Sequence, residues 1–227
     1  MPRAIPATCS PSAIAVAGRK AAQAIASGHL TTPRTLAICW LSTDNQCTAM
    51  ALTSTIHVFT VRLADADRNL YETLNLRVAQ HPSESAEYLV TRLLAYCLEY
   101  GEGIAFSRGL SDVDEPAITV RDLTGALQAW IEVGTPEAPR LHKASKAAPR
   151  VAVYPHRDTA PWLARLAGER IHRSEAIAIH AIELDLITAL AQQLERRMEF
   201  DLSVAERTLY LTLGDETLTG AIESRTL

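Results

Sequence analysis

A chain of 227 residues, 48% hydrophobic and 21% charged, holds enough apolar material for one large folded domain and does not have the composition of a disordered chain. Its net charge of −4 is uneven: residues 1 to 49 carry four basic groups (Arg3, Arg19, Lys20, Arg34) against one acid, Asp44, which leaves 18 basic and 25 acidic groups beyond them. That acidic balance counts against tight, sequence-independent binding to nucleic acid, which rests on a basic surface. No apolar run approaches the roughly 20 residues of a membrane helix, so the expectation is a cytoplasmic protein without a membrane partner.

The first 49 residues are rich in Ala, Ser, Thr and Pro and show no sustained period. The reading favoured is that Met50 is the natural start and that 1–49 is an upstream or disordered extension. An organelle transit segment would share its basic, acid-poor composition. A secretory signal is the weakest alternative, because Ala13 to Gly18 is short and only mildly apolar.

From Met50 to Leu227 a single domain is expected. Thr55 to Leu63 alternates at period two, with Ile56, Val58, Thr60 and Arg62 opposite His57, Phe59, Val61 and Leu63, which predicts a strand. Asp65 to Asn69 is turn chemistry, and Tyr71 to Gln80 completes a predicted hairpin. Ser83 is placed to cap a helix over about Glu84 to Tyr100, with Leu89, Leu93, Tyr96, Cys97 and Tyr100 on its apolar side. Gly101 to Gly103 ends that helix. A short strand at Ile104 to Arg108, a polar turn at Asp112 to Pro116, and strands at Ala117 to Arg121 and Ala126 to Val133 follow. Pro139 to Ala147 reads as helix, Val151 to Tyr154 as strand, Thr159 to Ala167 as helix, Ala176 to Ile182 as strand and Leu184 to Leu194 as helix. Met198 to Glu223 alternates again and turns at Gly214-Asp215. Interleaved strands and helices without an internal repeat predict one α/β domain.

Three of the four cysteines, Cys9, Cys39 and Cys47, fall in the first 49 residues. Cys97, on a helical pattern, reads as a small buried apolar residue. The histidines at 57, 81, 142, 156, 172 and 180 share no zinc spacing, and His156, beside Arg157 and Asp158, reads as surface.

Four patterns bear on chemistry: His81-Pro82-Ser83-Glu84, Asp112 to Pro116, Trp130 to Gly134, and Leu141 to Lys146. Singly, each has an ordinary explanation. Glu84 suits the positive end of a helix dipole, and Lys143 and Lys146, three apart, suit one solvated helix face. Glu132 is different, because it interrupts the apolar strand Ala126 to Val133, where an ionised carboxylate needs a partner. On a strand it shares a face with Trp130 and Gln128.

In order and spacing these segments, together with Phe106-Ser107-Arg108-Gly109-Leu110, Asp114-Glu115-Pro116 and Lys143-Ala144, resemble the YaeQ family from about Met50 to the final strands. The resemblance implies a central mixed β-sheet flanked by helices, a variant of the restriction-endonuclease-like PD-(D/E)XK fold. It implies Asp114 and Glu132 as acids on a Mg²⁺ or Mn²⁺ ion, with the Val133 carbonyl as a further metal ligand. Glu84 becomes the acid contributed by the first helix. Gly134 stands where that fold carries its lysine, so Lys143 is the expected replacement and Lys146 the second choice. Hard oxygen ligands suit such cations. Arg108 is a weaker candidate for phosphate contact.

The function implied is a divalent-metal-dependent phosphodiesterase acting on DNA or RNA. The alternative is a non-catalytic regulatory or binding protein on the same fold, an association of the family with bacterial transcription. A third reading makes the acids part of a structural ion-pair network with Lys143 and Arg108.

Overall fold

The computed structural model describes residues 54–107 and 115–227. The expectations for residues 1–49, and those placed on Arg108, Asp112 and Asp114, lie outside the described residues. Ala49–Leu227 is one compact unit.

The first hairpin forms as its alternation predicts. Strands β1 (Thr55–Asp65) and β2 (Leu70–Gln80) pair antiparallel from Thr55↔Gln80 to Asp65↔Leu70. Phe59, Val61 and Leu63 are buried while Arg62 stays out, forking Glu199 and Asp201 on the solvated face. Helix α1 (Ala86–Leu98) is capped by Ser85, whose hydroxyl accepts from the Tyr88 amide at 3.2 Å. The cap is therefore two residues later than Ser83, and Glu84 precedes the helix rather than opening it. The last turn of α1 carries no basic residue of its own. Arg68, from the β1–β2 turn, supplies one by donating to the carbonyls of Cys97 at 3.0 Å and Tyr100 at 2.9 Å.

Nine consecutive residues of α1, Leu89 to Cys97, are buried, Thr91 and Arg92 among them. A helix apolar on nearly every side needs cover on every side, and here the sheet and the later helix Leu184–Gln192, through Leu186, Ile187 and Leu190, provide it. Among the described residues ten strands form one sheet in the order β2-β1-β8-β9-β10-β7-β6-β5-β4-β3. The remaining strands are β3 (Ile104–Phe106), β4 (Ile118–Arg121), β5 (Leu127–Val133), β6 (Arg150–Tyr154), β7 (Ile177–Ile182), β8 (Arg197–Ala205), β9 (Thr208–Leu213) and β10 (Glu216–Thr226). Pairing is mixed: β1–β8, β5–β6 and β6–β7 are parallel, and the rest antiparallel. The expected mixed sheet is present, but it is large, nearly closed and curled around α1 instead of lying as a central layer between helices.

The curl is joined by β10. Its first half, Glu216 to Ala221, pairs with β9 and its second half, Ile222 to Thr226, with β7. Helix α4 (Leu184–Gln192) packs on this strand, and a Cβ at Gly220 would fall 2.8 Å from the Leu186 Cβ, so only glycine admits the close approach. Helices α2 (Ala138–Ala147) and α3 (Ala160–Leu166) cover the other face of β5–β7, burying Trp130, Val151, Val153, Ile177 and Ile179 against Leu141, Ala144, Trp162 and Leu166. No helix among the described residues is long and apolar enough to cross a membrane.

Candidate functional site

Strands β5, β6 and β7 run parallel, and a cavity of about 300 Å³ opens at the carboxyl ends of the first two. Crevices beyond the carboxyl ends of parallel strands are the common ligand position in α/β sheets, because the chain there leaves the sheet and exposes polar backbone. Glu132 and Val133 end β5 at this cavity, Gly134 to Pro136 continue its wall, and His156 faces them just beyond β6.

Glu132 is 3% exposed, on the same face as Trp130, as the alternation predicted. The Trp130 indole N–H donates to Oε1 at 2.6 Å. Arg140, in the first turn of α2, forks the carboxylate, with Nε 2.7 Å from Oε1 and Nη2 3.2 Å from Oε2. Its Nη2 also donates to the Glu115 carbonyl at 2.8 Å. Burial pushes the Glu132 carboxyl above its ordinary range, and the charge and hydrogen bonds of Arg140, helped by Trp130, only partly pull it back.

A second acid–arginine pair lies behind the opposite wall. Glu84 Oε2 accepts from the His81 amide at 3.0 Å and from Arg92 Nη2 at 3.2 Å, while its Oε1 lies 3.1 Å from the same Nη2 without an aligned hydrogen bond. Arg92, 2% exposed, also donates to the Ala79 carbonyl at 2.6 Å and lies 5.9 Å from the Phe106 ring centroid. It is Arg92 that lines the cavity, and Glu84 sits behind it. Burial raises the Glu84 carboxyl against the opposing pull of Arg92 and His81.

Tyr88 stands between the two pairs. Burial pushes its hydroxyl up to about 12, Arg92 and Arg140 pull down, and Glu132 and Glu84 push up. His156 packs edge-on against Tyr88 with ring centroids 5.4 Å apart. Its Nδ1 is buried without a hydrogen-bond partner, and burial followed by Arg157 lowers its pKa, keeping the ring neutral. The expectation that His156 is merely surface is corrected: β6 pairs parallel with β5, Val133 opposite Tyr154, so the residue just beyond β6 comes beside Gly134 and its ring lies in the cavity wall. Gly134 has φ +100°, where L side chains are disfavoured, and a Cβ there would touch His156 and Tyr88 at 3.5 Å. This backbone gives a physical reason for glycine at the position where the resemblance calls for lysine.

Lys143 and Lys146 both lie on the exposed side of α2, whose buried residues are Leu141, Ala144 and Ser145. The structure thus brings Glu132, Val133 and Arg92 to one cavity, with Glu84 behind it and Lys143 on the adjoining helix. Arg140 was missed by sequence reasoning. Its one available signal was position, a basic residue in the first turn of the helix that follows the strand carrying Glu132. Among the described residues no group of three His, Cys, Asp or Glu side chains is close enough to hold a metal ion by itself.

A curled mixed sheet around a buried helix, with a polar cavity where parallel strands β5 and β6 end, defines an α/β protein that presents a few charged groups at a strand terminus. Residues 50–222 match the sequence family described as YaeQ protein, and the chain belongs to that family. The YaeQ protein of Escherichia coli K12 is 40% identical over 111 residues, a stretch covering 49% of this chain and 61% of that protein, and the YaeQ protein of Salmonella typhi matches to the same extent. The crystal structure of YaeQ protein from Pseudomonas syringae superimposes with a TM-score of 0.69 at 34% identity, covering 75% of this chain and 95% of that one. The YaeQ structure from Xanthomonas axonopodis pv. citri gives 0.70 at 30% identity, covering 76% and 98%.

Proposed function

We propose that this protein is a phosphodiester-cleaving enzyme of the PD-(D/E)XK type, dependent on Mg²⁺ or Mn²⁺ and acting on DNA or RNA. Glu132 carries the proposal: a buried carboxylate at the carboxyl end of a parallel strand, on a polar cavity, with a pKa that burial raises in spite of an arginine fork. The reading of the curled sheet as a restriction-endonuclease-like variant rests on this placement and on the motif order, Glu132 following the antiparallel β4–β5 pair and preceding parallel β6.

The donor chemistry fits a hard divalent cation. The Glu132 carboxylate and Val133 carbonyl are hard oxygens, and Asp114 is the second acid that the resemblance adds. Such an ion supplies charge to polarise a phosphate and to lower the pKa of a water. The chain's own groups do the rest. Arg140 sets the carboxylate's orientation and opposes the effect of its burial, taking the place beside the acid that a lysine at 134 cannot reach. Arg92 and Arg140 place two guanidiniums on the cavity for phosphate oxygens. Neutral His156 offers a ring nitrogen, and Lys143 adds a cation at the rim of α2.

The fork itself favours a second reading, since both oxygens of Glu132 are already engaged. A non-catalytic binding or regulatory protein would use the cavity as a fixed polar recess. Calorimetric titration of Mn²⁺ into the full chain, beside Glu132→Gln and Asp114→Asn, separates the two, with urea denaturation confirming that each variant is folded. Binding in the parent that disappears in both folded variants, followed by cleavage of fluorescent single- or double-stranded oligonucleotides, supports the enzyme. Absence of binding at millimolar Mn²⁺ supports the recess.

A further inference from the structure

A second cavity, of about 470 Å³, lies at the other end of α1, between the inner face of β6, β7 and β10 and the turns that close β1–β2 and β8–β9. Its acids are all engaged. Glu99, at the carboxyl end of α1, is forked by Arg150 with Nη1 and Nη2 each 2.7 Å from a carboxylate oxygen, and accepts the Tyr154 hydroxyl at 2.7 Å. Asp65 is held by Arg68 at 2.6 Å. Asp67 spends both oxygens on the backbone amides of Glu206 at 2.8 Å and Arg207 at 3.0 Å.

What remains is donor capacity. Among the described residues the Arg207 guanidinium makes no hydrogen bond or ion pair, although it lines the cavity. Arg150 uses two of the five N–H groups a guanidinium carries. His180 and Ser224, cross-strand partners on β7 and β10, share one hydrogen bond of 2.7 Å through the imidazole Nδ1, which leaves Nε2 for another partner. Tyr154 packs against His180 with centroids 5.2 Å apart and fixes the ring.

The β8–β9 turn that presents Arg207 is a costly one. Glu206 and Arg207 have φ of 49° and 60°, a left-handed pair that hairpins usually fill with Asn-Gly or Asp-Gly. The turn requires this backbone, but nothing in the turn requires an arginine. Asp67, from a neighbouring turn, holds both amides and so fixes where Arg207 stands.

We propose that this cavity binds a small oxyanion, a phosphate or carboxylate group of a small-molecule ligand, through Arg207 and Arg150 with His180 and Ser224 as hydrogen-bonding partners. The site is separate from the Glu132 cavity and does not depend on the function assigned there. The groups facing His180 are Glu99 from α1, Arg150 and Tyr154 from β6, Ser224 from β10 and Arg207 from the β8–β9 turn. Burial lowers the His180 pKa most, Glu99 raises it, and Arg150 and Arg207 lower it further, so a bound anion, acting like Glu99, shifts it upward.

The test is calorimetric titration of inorganic phosphate, and separately of citrate, into the full chain at constant ionic strength in chloride. It is run beside Arg207→Gly, which keeps the left-handed turn without strain, and Arg157→Ala, an exposed arginine outside the cavity. The expected result is saturable binding of at least one anion, weakened about tenfold or more in Arg207→Gly, as befits the loss of a charge-assisted contact, and unchanged in Arg157→Ala. Which anion binds identifies the ligand's group. In the parent the bound anion raises the His180 pKa followed by NMR of its ring proton, and in Arg207→Gly that shift is lost. No saturable binding of either anion up to about 10 mM overturns the proposal. So does equal binding in Arg207→Gly, or an equal loss in Arg157→Ala.

Discussion

The cavities at the two ends of α1 share their parts. Each has a buried glutamate forked by an arginine, a tyrosine whose hydroxyl is pushed up by burial, and a half-buried neutral histidine. Their carboxyls nevertheless shift in opposite directions. At Glu99 burial is outweighed by the hydrogen bonds and charge of Arg150, the Tyr154 hydroxyl and His180, and the carboxyl falls below its ordinary range. At Glu132 burial wins and the carboxyl rises. Geometry accounts for the contrast. Both arms of Arg150 reach 2.7 Å, whereas Arg140 holds one arm at 2.7 Å and the other at 3.2 Å while its Nη2 also serves the Glu115 carbonyl. Burial thus decides the direction at Glu132, and the arginine and tyrosine partners decide it at Glu99.

The largest test of this contrast removes the arginines. Arg140→Ala leaves Glu132 buried and unpaired and is expected to cost about 2–4 kcal/mol in urea denaturation. Arg150→Ala is expected to cost about 1 kcal/mol, because Arg150 is half exposed and Glu99 keeps the Tyr154 hydroxyl. Equal losses would remove the distinction. Next comes Gly134→Lys, which restores the E-x-K spacing but forces a side chain to φ +100°, with an expected cost of about 1–2 kcal/mol. A variant as stable as the parent would mean that the backbone is not what keeps lysine out.

The tyrosines divide in the same way. Tyr154→Phe removes a hydrogen bond to a carboxylate and should cost about 1 kcal/mol. Tyr88→Phe, whose hydroxyl has no hydrogen bond among the described residues, should stay within about 0.5 kcal/mol by thermal or urea melts.

The finest test is the sign of the pH dependence, read from urea midpoints between about pH 3 and 7. The Glu99 pKa is lower folded than unfolded, so its stabilisation is full above the ordinary value of 4.5 and is lost as pH falls through the folded value. Glu99→Gln should therefore flatten the acid limb. The Glu132 pKa is higher folded than unfolded, so the native state holds the proton more tightly and this group costs stability as pH rises from 4.5 through the folded value. The parent should lose ground to Glu132→Gln over that rise. Two variants shifting the curve in the same direction would sink the comparison.

Much of the local structure was legible. The period-two segments became β1, β2 and the final strands, Gly214-Asp215 turned between β9 and β10, and the helices fell near their predicted spans. Glu132 also stood out, because a carboxylate inside an apolar strand is conspicuous on one line of text. The parallel pairing of β1 with β8 could not be read, since those partners are separated by more than a hundred residues and alternation reveals a face but not a neighbour. The second turn of the tail was hidden for another reason: Glu206-Arg207 adopts a glycine-like backbone without a glycine.

The sequence by itself determined which residues alternate, which turn and which carry charge, and these are properties of short stretches governed by local sterics and solvation. Only the tertiary structure decided that α1 is enclosed on all sides, that Arg140 and not Lys143 forks Glu132, and that His156 and Arg207 face cavities. The reason is that the cost of a buried charge depends on what stands within a few ångströms of it, and those neighbours are chosen by the curl of the sheet.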